Sequence, residues 1–181
     1  MEPLSPKEVP RIDVAPQPAR IDEILSIRLR GFPPNQPITL HASLVDERER
    51  TWTSVAAFVT DEQGCVDLAS TSPVSGSYSD VDPMGLWWSA TTPRSRRGTF
   101  LKRGSEPLVM KLTAEGEGVV LASTLIQRTI VDPSIERIPV RERGLVGTFF
   151  RPRARAARPA LVVFGGAEGG LHEGRAALLA S

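Results

Sequence analysis

Cysteine and histidine are nearly absent from this chain of 181 residues. Cys65 is the only cysteine, so no internal disulfide can form, and this usage fits a reducing compartment such as the cytoplasm. The two histidines, His41 and His172, are far apart in sequence, and the carboxylates are scattered over predicted turns. Because a metal site needs several such ligands close together, we expect neither a metal ion nor a cofactor.

The chain also lacks an excess of charge of either sign and a long apolar run. Its 22 Lys and Arg residues against 21 Asp and Glu residues give a formal net charge of +1, which offers no electrostatic reason to bind nucleic acid or an anionic membrane. No apolar run approaches the roughly 20 residues that a membrane-spanning helix needs. The N-terminus does not have the pattern of a secretory signal. We therefore expect a cytoplasmic protein without a membrane span or a nucleic-acid partner.

Motifs that would assign a chemistry are missing or broken. Neither the nucleophile elbow G-x-S-x-G nor its cysteine equivalent occurs. The stretch GGAEGG, residues 165–170, is followed by Leu171 and His172 where a phosphate-binding Walker loop has Lys and then Ser or Thr. Ala167 stands where the dinucleotide fingerprint has its second glycine. Nucleotide binding is therefore not expected.

What the chain does have is apolar and polar alternation with a period of two. Ile38, Leu40, Ala42 and Leu44 alternate with polar neighbours, and similar patterns recur in other short segments separated by turn residues. This spacing predicts an antiparallel β-sandwich of immunoglobulin-like type over residues 11–133, after a flexible leader at residues 1–10. The predicted strands include residues 25–30, 38–45, 52–59, 65–69, 108–112 and 119–125, the last with Val119, Leu121, Ser123 and Leu125 in alternation.

The alternation disappears between Ser70 and Gly104. A loop of this length inside a compact domain either packs on itself or carries function, and we expect Trp87 or Trp88 to attach it to the rest of the molecule. The loop is also basic, which could suit the phosphates of a coenzyme A tail, although a solvated surface loop is the more common role of such a segment. Its basic residues are Arg94, Arg96, Arg97, Lys102 and Arg103.

The C-terminal part changes to a different pattern after Asp132-Pro133. Two predicted strands at residues 137–141 and 145–150 precede the unbroken apolar run Leu161–Phe164, which is typical of a strand buried on both faces of a parallel sheet. GGAEGG and a helical segment follow. This order resembles the start of an α/β-hydrolase domain, so we expect residues 134–181 to be an incomplete domain of that kind in a truncated protein. The glycine loop is either an oxyanion hole or a tight turn.

Three single residues have mainly structural interpretations. Cys65, on the predicted short strand, is expected to be a small core residue. His41 is expected on the polar face or at the edge of its sheet. His172 opens the terminal helix beside the glycine loop and could line a site, although no partner for it is visible in the sequence.

A resemblance to a known family enters at SGSYSDVDPMGLWWS, residues 75–89. This segment resembles the acyl-CoA thioester hydrolase and bile acid-CoA:amino acid N-acyltransferase family. Two further segments resemble the same family, VRERGLVGTFFRP at residues 140–152 and LVVFGGAEGGLHEGRAALLAS at the C-terminus. The resemblance implies an N-terminal β-sandwich, a C-terminal α/β-hydrolase domain and an acyl-CoA substrate. It also implies that Gly166, Ala167 and Glu168 provide oxyanion-hole N–H groups, and that the nucleophile, acid and histidine lie beyond Ser181.

The expected function is therefore that of an N-terminal fragment of an acyl-CoA thioesterase, which cleaves fatty acyl-CoA to a fatty acid and CoA. We expect the fragment itself to be inactive, because the catalytic triad would be missing. The alternatives are a fragment of an acyl-CoA:amino acid N-acyltransferase and a non-enzymatic β-sandwich that binds a partner. A separate hydrolase domain is a possible partner.

Overall fold

The computed structural model describes residues 8–93, 98–154, 158–167 and 169–181. Within them the chain is mainly β, and most of the predicted strands form. The strands are β1 (Arg11–Ala15), β2 (Ala19–Arg20), β3 (Ser26–Arg30), β4 (Pro37–Val45), β5 (Thr51–Val59), β6 (Val66–Asp67), β7 (Ser75–Gly76), β8 (Leu108–Gly116), β9 (Val119–Thr129), β10 (Ile135–Glu142) and β11 (Leu145–Pro152). The helices are α1 (Gly85–Trp88) and α2 (Glu173–Ala180).

The strands form a six-stranded, a three-stranded and a two-stranded sheet. Their orders are β2-β9-β8-β4-β5-β7, β1-β3-β6 and β10-β11. All neighbouring strands pair antiparallel except β2, which pairs parallel with β9 through Ala19 and Arg20. The expectation of an entirely antiparallel arrangement is therefore wrong at this one edge, where β2 follows β1 of the three-stranded sheet and pairs with β9 of the six-stranded sheet.

A first hydrophobic core lies where the six-stranded and three-stranded sheets contribute side chains to one cluster. Leu40 of β4, Phe58 of β5, Leu112 of β8 and Leu29 of β3 are each fully buried in it. The alternation predicted for β4 and β5 is confirmed, since every second residue of both strands is buried. Burying a side chain of this size contributes about 1.5–3 kcal/mol, so this core accounts for much of the stability of the fold.

The burial pattern of strand β9 differs from the alternation predicted for it. The register shifts between Ala114 and Glu115 of β8, where β9 has one more residue than its partner. Such a β-bulge reverses the face to which the following side chains point. Leu125 is consequently exposed, whereas Ile126 and Arg128 are buried.

A second, smaller core joins the C-terminal part to the end of β9. It contains Ile130, Ile135, Phe150 and Ala177, and the side chain of Ile21 packs against both cores. The antiparallel pair β10–β11 confirms the two strands predicted after residue 133, and α2 packs on that hairpin.

Two hairpin turns have the same geometry, with two central residues that both have the positive φ of a type I′ turn. Glu117 and Gly118 join β8 to β9 with φ of +50° and +77°, and Arg143 and Gly144 join β10 to β11 with φ of +51° and +79°.

The buried strand predicted at Leu161–Phe164 does not form. These four residues have no secondary structure, and all except the half-buried Val163 are exposed. A strand buried on both faces needs neighbours that pair with its backbone, and no described residues pair with this run. Of the predicted leader, residues 8–10 have no secondary structure, and residues 1–7 lie outside the described part.

Candidate functional site

The glycine loop at residues 165–170 lies between the exposed run Leu161–Phe164 and helix α2. The N–H of Gly169 donates to the carbonyl oxygen of Gly166 at 2.9 Å, which closes a turn. Gly169 and Gly170 have φ of +62° and +84°, and a Cβ on Gly165 would lie 2.8 Å from the oxygen of Gly170. Glycine is therefore needed for the close approach of the two ends of this loop.

The predicted oxyanion-hole donors fall partly within the described structure. Gly166 and Ala167 are on the turn and exposed, and Glu168 lies outside the described residues. Their role as donors stays a prediction. A Cβ added to Gly166 would meet no atom within 4 Å, so this position leaves open space in front of the backbone.

A groove of about 500 Å³ lies between β11, residues 159–165 and α2. Its walls are mainly apolar, with contributions from Val146, Val162 and Leu179. His172, Glu173 and Thr148 also line it, so polar groups lie beside the glycine loop. His172 is half-buried and immediately precedes α2, as predicted from the sequence.

Glu173 of this groove has polar and charged partners at the start of α2. Arg137 of β10 donates to both carboxylate oxygens of Glu173, at 2.7 and 3.1 Å, and the hydroxyl of Thr148 donates to the same carboxylate. The hydrogen bonds from Arg137 lower the pKa of Glu173, so the carboxylate stays charged at neutral pH. This cluster attaches α2 to both strands of the hairpin.

An exposed apolar surface covers the same region of the molecule. We call it the tail surface, and it runs over the hairpin, the segment before α2 and one residue of α2. The exposed fraction of its side chains ranges from 50% at Phe149 to 83% at Phe164. Its members are Leu145, Val146, Phe149, Leu161, Val162, Phe164 and Leu179. So many large apolar side chains close together are typical of a surface that another protein element covers.

The segment with the adjacent tryptophans packs on the first core, as expected. Leu86 is buried there, and its carbonyl oxygen accepts a hydrogen bond from the hydroxyl of Ser54. Trp87 packs against the core, whereas Trp88 is 63% exposed, with its indole N–H donating to Asp82 at 2.7 Å. Burial raises the pKa of the neighbouring Tyr78 to about 12.

The basic part of this loop is only partly described. Arg94, Arg96 and Arg97 lie outside the described residues. The ammonium of Lys102 and the backbone N–H of Arg103 both donate to Glu47, at 2.9 and 2.8 Å. Lys102 therefore already has a protein carboxylate as its partner.

The remaining single candidates have structural environments. His41 is exposed on the solvent face of β4, as expected, with Nε2 3.6 Å from a carboxylate oxygen of Glu115. Cys65 is half-buried and lies just before β6, so its predicted place in the core is wrong. Among the described residues, no group of three or more His, Cys, Asp or Glu side chains is placed to hold a metal ion.

The fold buries two charged side chains, Asp46 and Arg128, that were not predicted from the sequence. Asp46, after β4, accepts hydrogen bonds from Arg48, Arg50 and Trp52. The stretch DERERTW contains these donors, and an acidic residue at the head of a turn rich in arginine was the available signal. Arg128 had no comparable signal, because its inward direction depends on the bulge in β9.

Fold and site together define a β-rich protein in which a hairpin, a glycine turn and a helix surround an apolar groove. Neither described helix is long and apolar enough to cross a membrane. The profile of the family described as "Acyl-CoA thioester hydrolase/BAAT N-terminal region" matches residues 22–142. The chain belongs to this family.

Curated relatives agree with this assignment. The chain is 38% identical to acyl-coenzyme A thioesterase 5 of Mus musculus over 165 residues, which is 88% of this chain and 39% of the relative. It is 36% identical to the peroxisomal succinyl-coenzyme A thioesterase of the same species, with the same coverage. It is 35% identical to the mouse acyl-coenzyme A amino acid N-acyltransferase 2, over 92% of this chain and 42% of the relative. The chain thus spans about two fifths of the length of these relatives.

Proposed function

We propose that this chain is the N-terminal part of an acyl-CoA thioesterase that converts fatty acyl-CoA to a fatty acid and CoA. The observation that carries the proposal is the 38% identity, over 88% of the chain, to a protein named as an acyl-coenzyme A thioesterase. The two sheets around the first core are proposed to be the immunoglobulin-like sandwich domain, residues 11–133. Residues 134–181 are proposed to begin an α/β-hydrolase domain, although the family profile extends across this boundary to residue 142.

In the proposed reaction a nucleophile attacks the thioester carbonyl, and the CoA thiolate leaves from the tetrahedral intermediate. The N–H groups of Gly166, Ala167 and Glu168 would donate to the negative oxygen of that intermediate, and one such donor contributes about 3–4 kcal/mol. Water then hydrolyses the acyl-enzyme and releases the fatty acid. The nucleophile, acid and histidine would come from residues after Ser181, so the chain by itself is proposed to be inactive.

The tail surface is the proposed contact with the rest of that hydrolase domain. Leu161 and Phe164 have a sequence suited to a buried strand and yet are exposed here. A neighbouring parallel strand would pair with this run, and helices on both faces would cover its side chains. If the hydrolase domain were a separate chain, the tail surface would be the place where that chain binds.

A thiol-release assay with palmitoyl-CoA tests the proposed inactivity. We expect the purified chain to release CoA no faster than a variant in which Gly166 and Ala167 are both replaced by valine. Faster release by the unsubstituted chain would show that the described residues are already catalytic.

The DNA downstream of the Ser181 codon tests the thioesterase assignment itself, since we expect it to encode a serine or cysteine elbow followed by an acid and a histidine.

The N-acyltransferase is a second candidate, because a relative with that name matches 92% of this chain. In that reaction the amine of an amino acid, rather than water, takes the acyl group. Adding glycine to the assay of a longer protein distinguishes the two, since a transferase would form N-acylglycine in place of free fatty acid. The same assay, repeated with acyl-CoA substrates of different chain lengths, measures which chain length the protein prefers.

A non-enzymatic interaction module is the third candidate, supported by the exposed tail surface. A pull-down from cells separates it from the enzyme candidates: a hydrolase domain as the bound protein supports a split enzyme, and an unrelated protein supports the module.

We propose the cytoplasm as the compartment of this chain because it has a single cysteine. One relative is named as peroxisomal, so cell fractionation is the test.

A further inference from the structure

Arg128 is the largest fully buried side chain in the described structure, with 1% of its surface exposed. It lies near the end of β9, opposite Ala19 of β2 and Leu108 of β8. Its guanidinium carbon is 5.3 Å from the centre of the Trp87 ring, in cation–π geometry. Arginine is rarely buried to this extent without a specific reason.

The hydrogen bonds of Arg128 are directed at one backbone segment. Nη2 donates to the carbonyl oxygens of Ile21 and Glu23, at 2.8 and 2.6 Å. Among the described residues, Nε and Nη1 have no hydrogen-bond partner, and the carboxylates of Glu23 and Asp22 act on the guanidinium only electrostatically, without a hydrogen bond to it. A buried cation without a paired carboxylate is costly. An apolar side chain of the same size would fill this space at a lower desolvation cost. We therefore take the two hydrogen bonds to backbone carbonyl oxygens as the reason for an arginine at this position.

The segment that Arg128 holds is the one that joins the two cores. The side chain of Ile21 packs against both hydrophobic clusters, and its N–H donates to the carbonyl oxygen of Thr129 at 2.8 Å. Ile130, two residues after Arg128, belongs to the second core with Ala177 of α2. Arg128 thus contacts the first core through Trp87, whereas Ile130 belongs to the second core.

We propose that Arg128 is a positioning residue that couples the first core to the second by fixing the backbone of Ile21 and Glu23. Through Ile21 it holds α2 and the β10–β11 hairpin in their orientation against the six-stranded sheet. This inference concerns the described chain alone and does not depend on the proposed function.

Amide hydrogen exchange of the 181-residue chain tests the coupling. We expect Arg128→Met to raise the exchange rates of the α2 amides, such as that of Ala176, at least about tenfold more than those of central β4 and β5 amides. Arg128→Lys retains the charge and one donor group, so its effect should be intermediate. Trp87→Phe retains a ring for the guanidinium and should leave the α2 amides within about twofold of the original rates.

Leu112→Ala is the matched control because Leu112 is fully buried in the first core only. It should raise all slow exchange rates by a similar factor. If Arg128→Met gives that uniform pattern, or leaves the α2 amides unchanged, the proposal is wrong.

A double-variant cycle tests the route through Ile21. Ile21→Ala should loosen α2 in the same way, and combining it with Arg128→Met should add little further effect, since both remove the same link. Fully multiplicative effects on exchange would contradict the proposal. Should Arg128→Met fail to fold, Arg128→Lys and Ile21→Ala provide the same comparison.

Discussion

The carboxylate of Asp46 accepts a hydrogen bond of 3.1 Å from the indole N–H of Trp52, six residues further along the chain, where β5 follows β4. Asp46 also accepts bonds from the backbone N–H groups of Arg48 and Arg50 and from the Arg50 guanidinium, which lies over the Trp52 ring. The Asp46 side chain is fully buried. One carboxylate therefore organises the turn between β4 and β5.

Replacing Asp46 with asparagine should destabilise the fold substantially. The amide has a single acceptor oxygen and no charge, so the Arg50 guanidinium loses its ion pair and retains the carbonyl oxygen of Thr99 as an acceptor, and we expect a loss of about 3 kcal/mol in the free energy of unfolding. Urea unfolding followed by tryptophan fluorescence measures the change. Glu49→Gln, an exposed change in the same turn, is the control and should lie within about 0.5 kcal/mol of the original chain. Equal effects of the two substitutions would contradict the role assigned to Asp46.

The same site should make stability depend on pH. Hydrogen bonds from Arg50 and Trp52 hold the pKa of Asp46 well below its usual range despite burial, which by itself would raise it. A lowered pKa in the folded state adds stability that is complete above the unfolded pKa and is lost as the pH falls toward the folded one. Stability should thus decline from about pH 5 downward. Thermal unfolding between pH 7 and pH 3 should show a smaller decline for Asp46→Asn, and parallel curves for both proteins would argue against this carboxylate as a main cause.

Gly174 fixes how closely α2 approaches the loop after residue 98. Its N–H donates to the carbonyl oxygen of Arg103 at 2.8 Å, and a Cβ at this position would lie 2.8 Å from the oxygen of Gly104. Gly174→Ala should therefore loosen the start of α2 even though alanine favours helix. Limited proteolysis at the C-terminal segment is the measurement. Gly166→Ala is the control, because a Cβ at this position meets no atom within 4 Å. The protease should cleave this variant at the same rate as the original chain.

The tail surface should make the chain associate with itself. Phe164→Glu places a charge at its most exposed member and should lower both dye binding by apolar surface and the apparent mass at high concentration. Val74→Glu changes an exposed apolar residue elsewhere and serves as the control. Light scattering that shows a monomer for all three proteins at high concentration would mean that the tail surface does not drive association.

The parts of the fold that follow local patterns could be predicted from the sequence. Leu40 and Ala42 alternate with polar residues in β4, and that period of two places them on one face wherever the sheet packs. The two-residue turns with Gly118 and Gly144 are equally local, because their backbone geometry requires glycine. The family resemblance was also readable from short segments, and the family profile confirms it.

The candidate site could be predicted only as a set of neighbours in sequence. The glycine loop and His172 were recognised, but the tie from Glu173 to Arg137 and Thr148 joins residues that are 36 and 25 positions apart. No local pattern specifies such a pairing, because it depends on how α2 lies on the hairpin.

The sequence by itself determined the long antiparallel strands such as β4 and β5 and the hairpin turns that end in Gly118 and Gly144, since alternation and turn chemistry act over a few residues. Only the tertiary structure decided what is buried: the bulge in β9 sends Arg128 inward and Leu125 outward, and the run Leu161–Phe164 stays exposed although it is as apolar as any core strand. Burial is a property of the neighbours that a segment finds, and those neighbours come from distant parts of the chain.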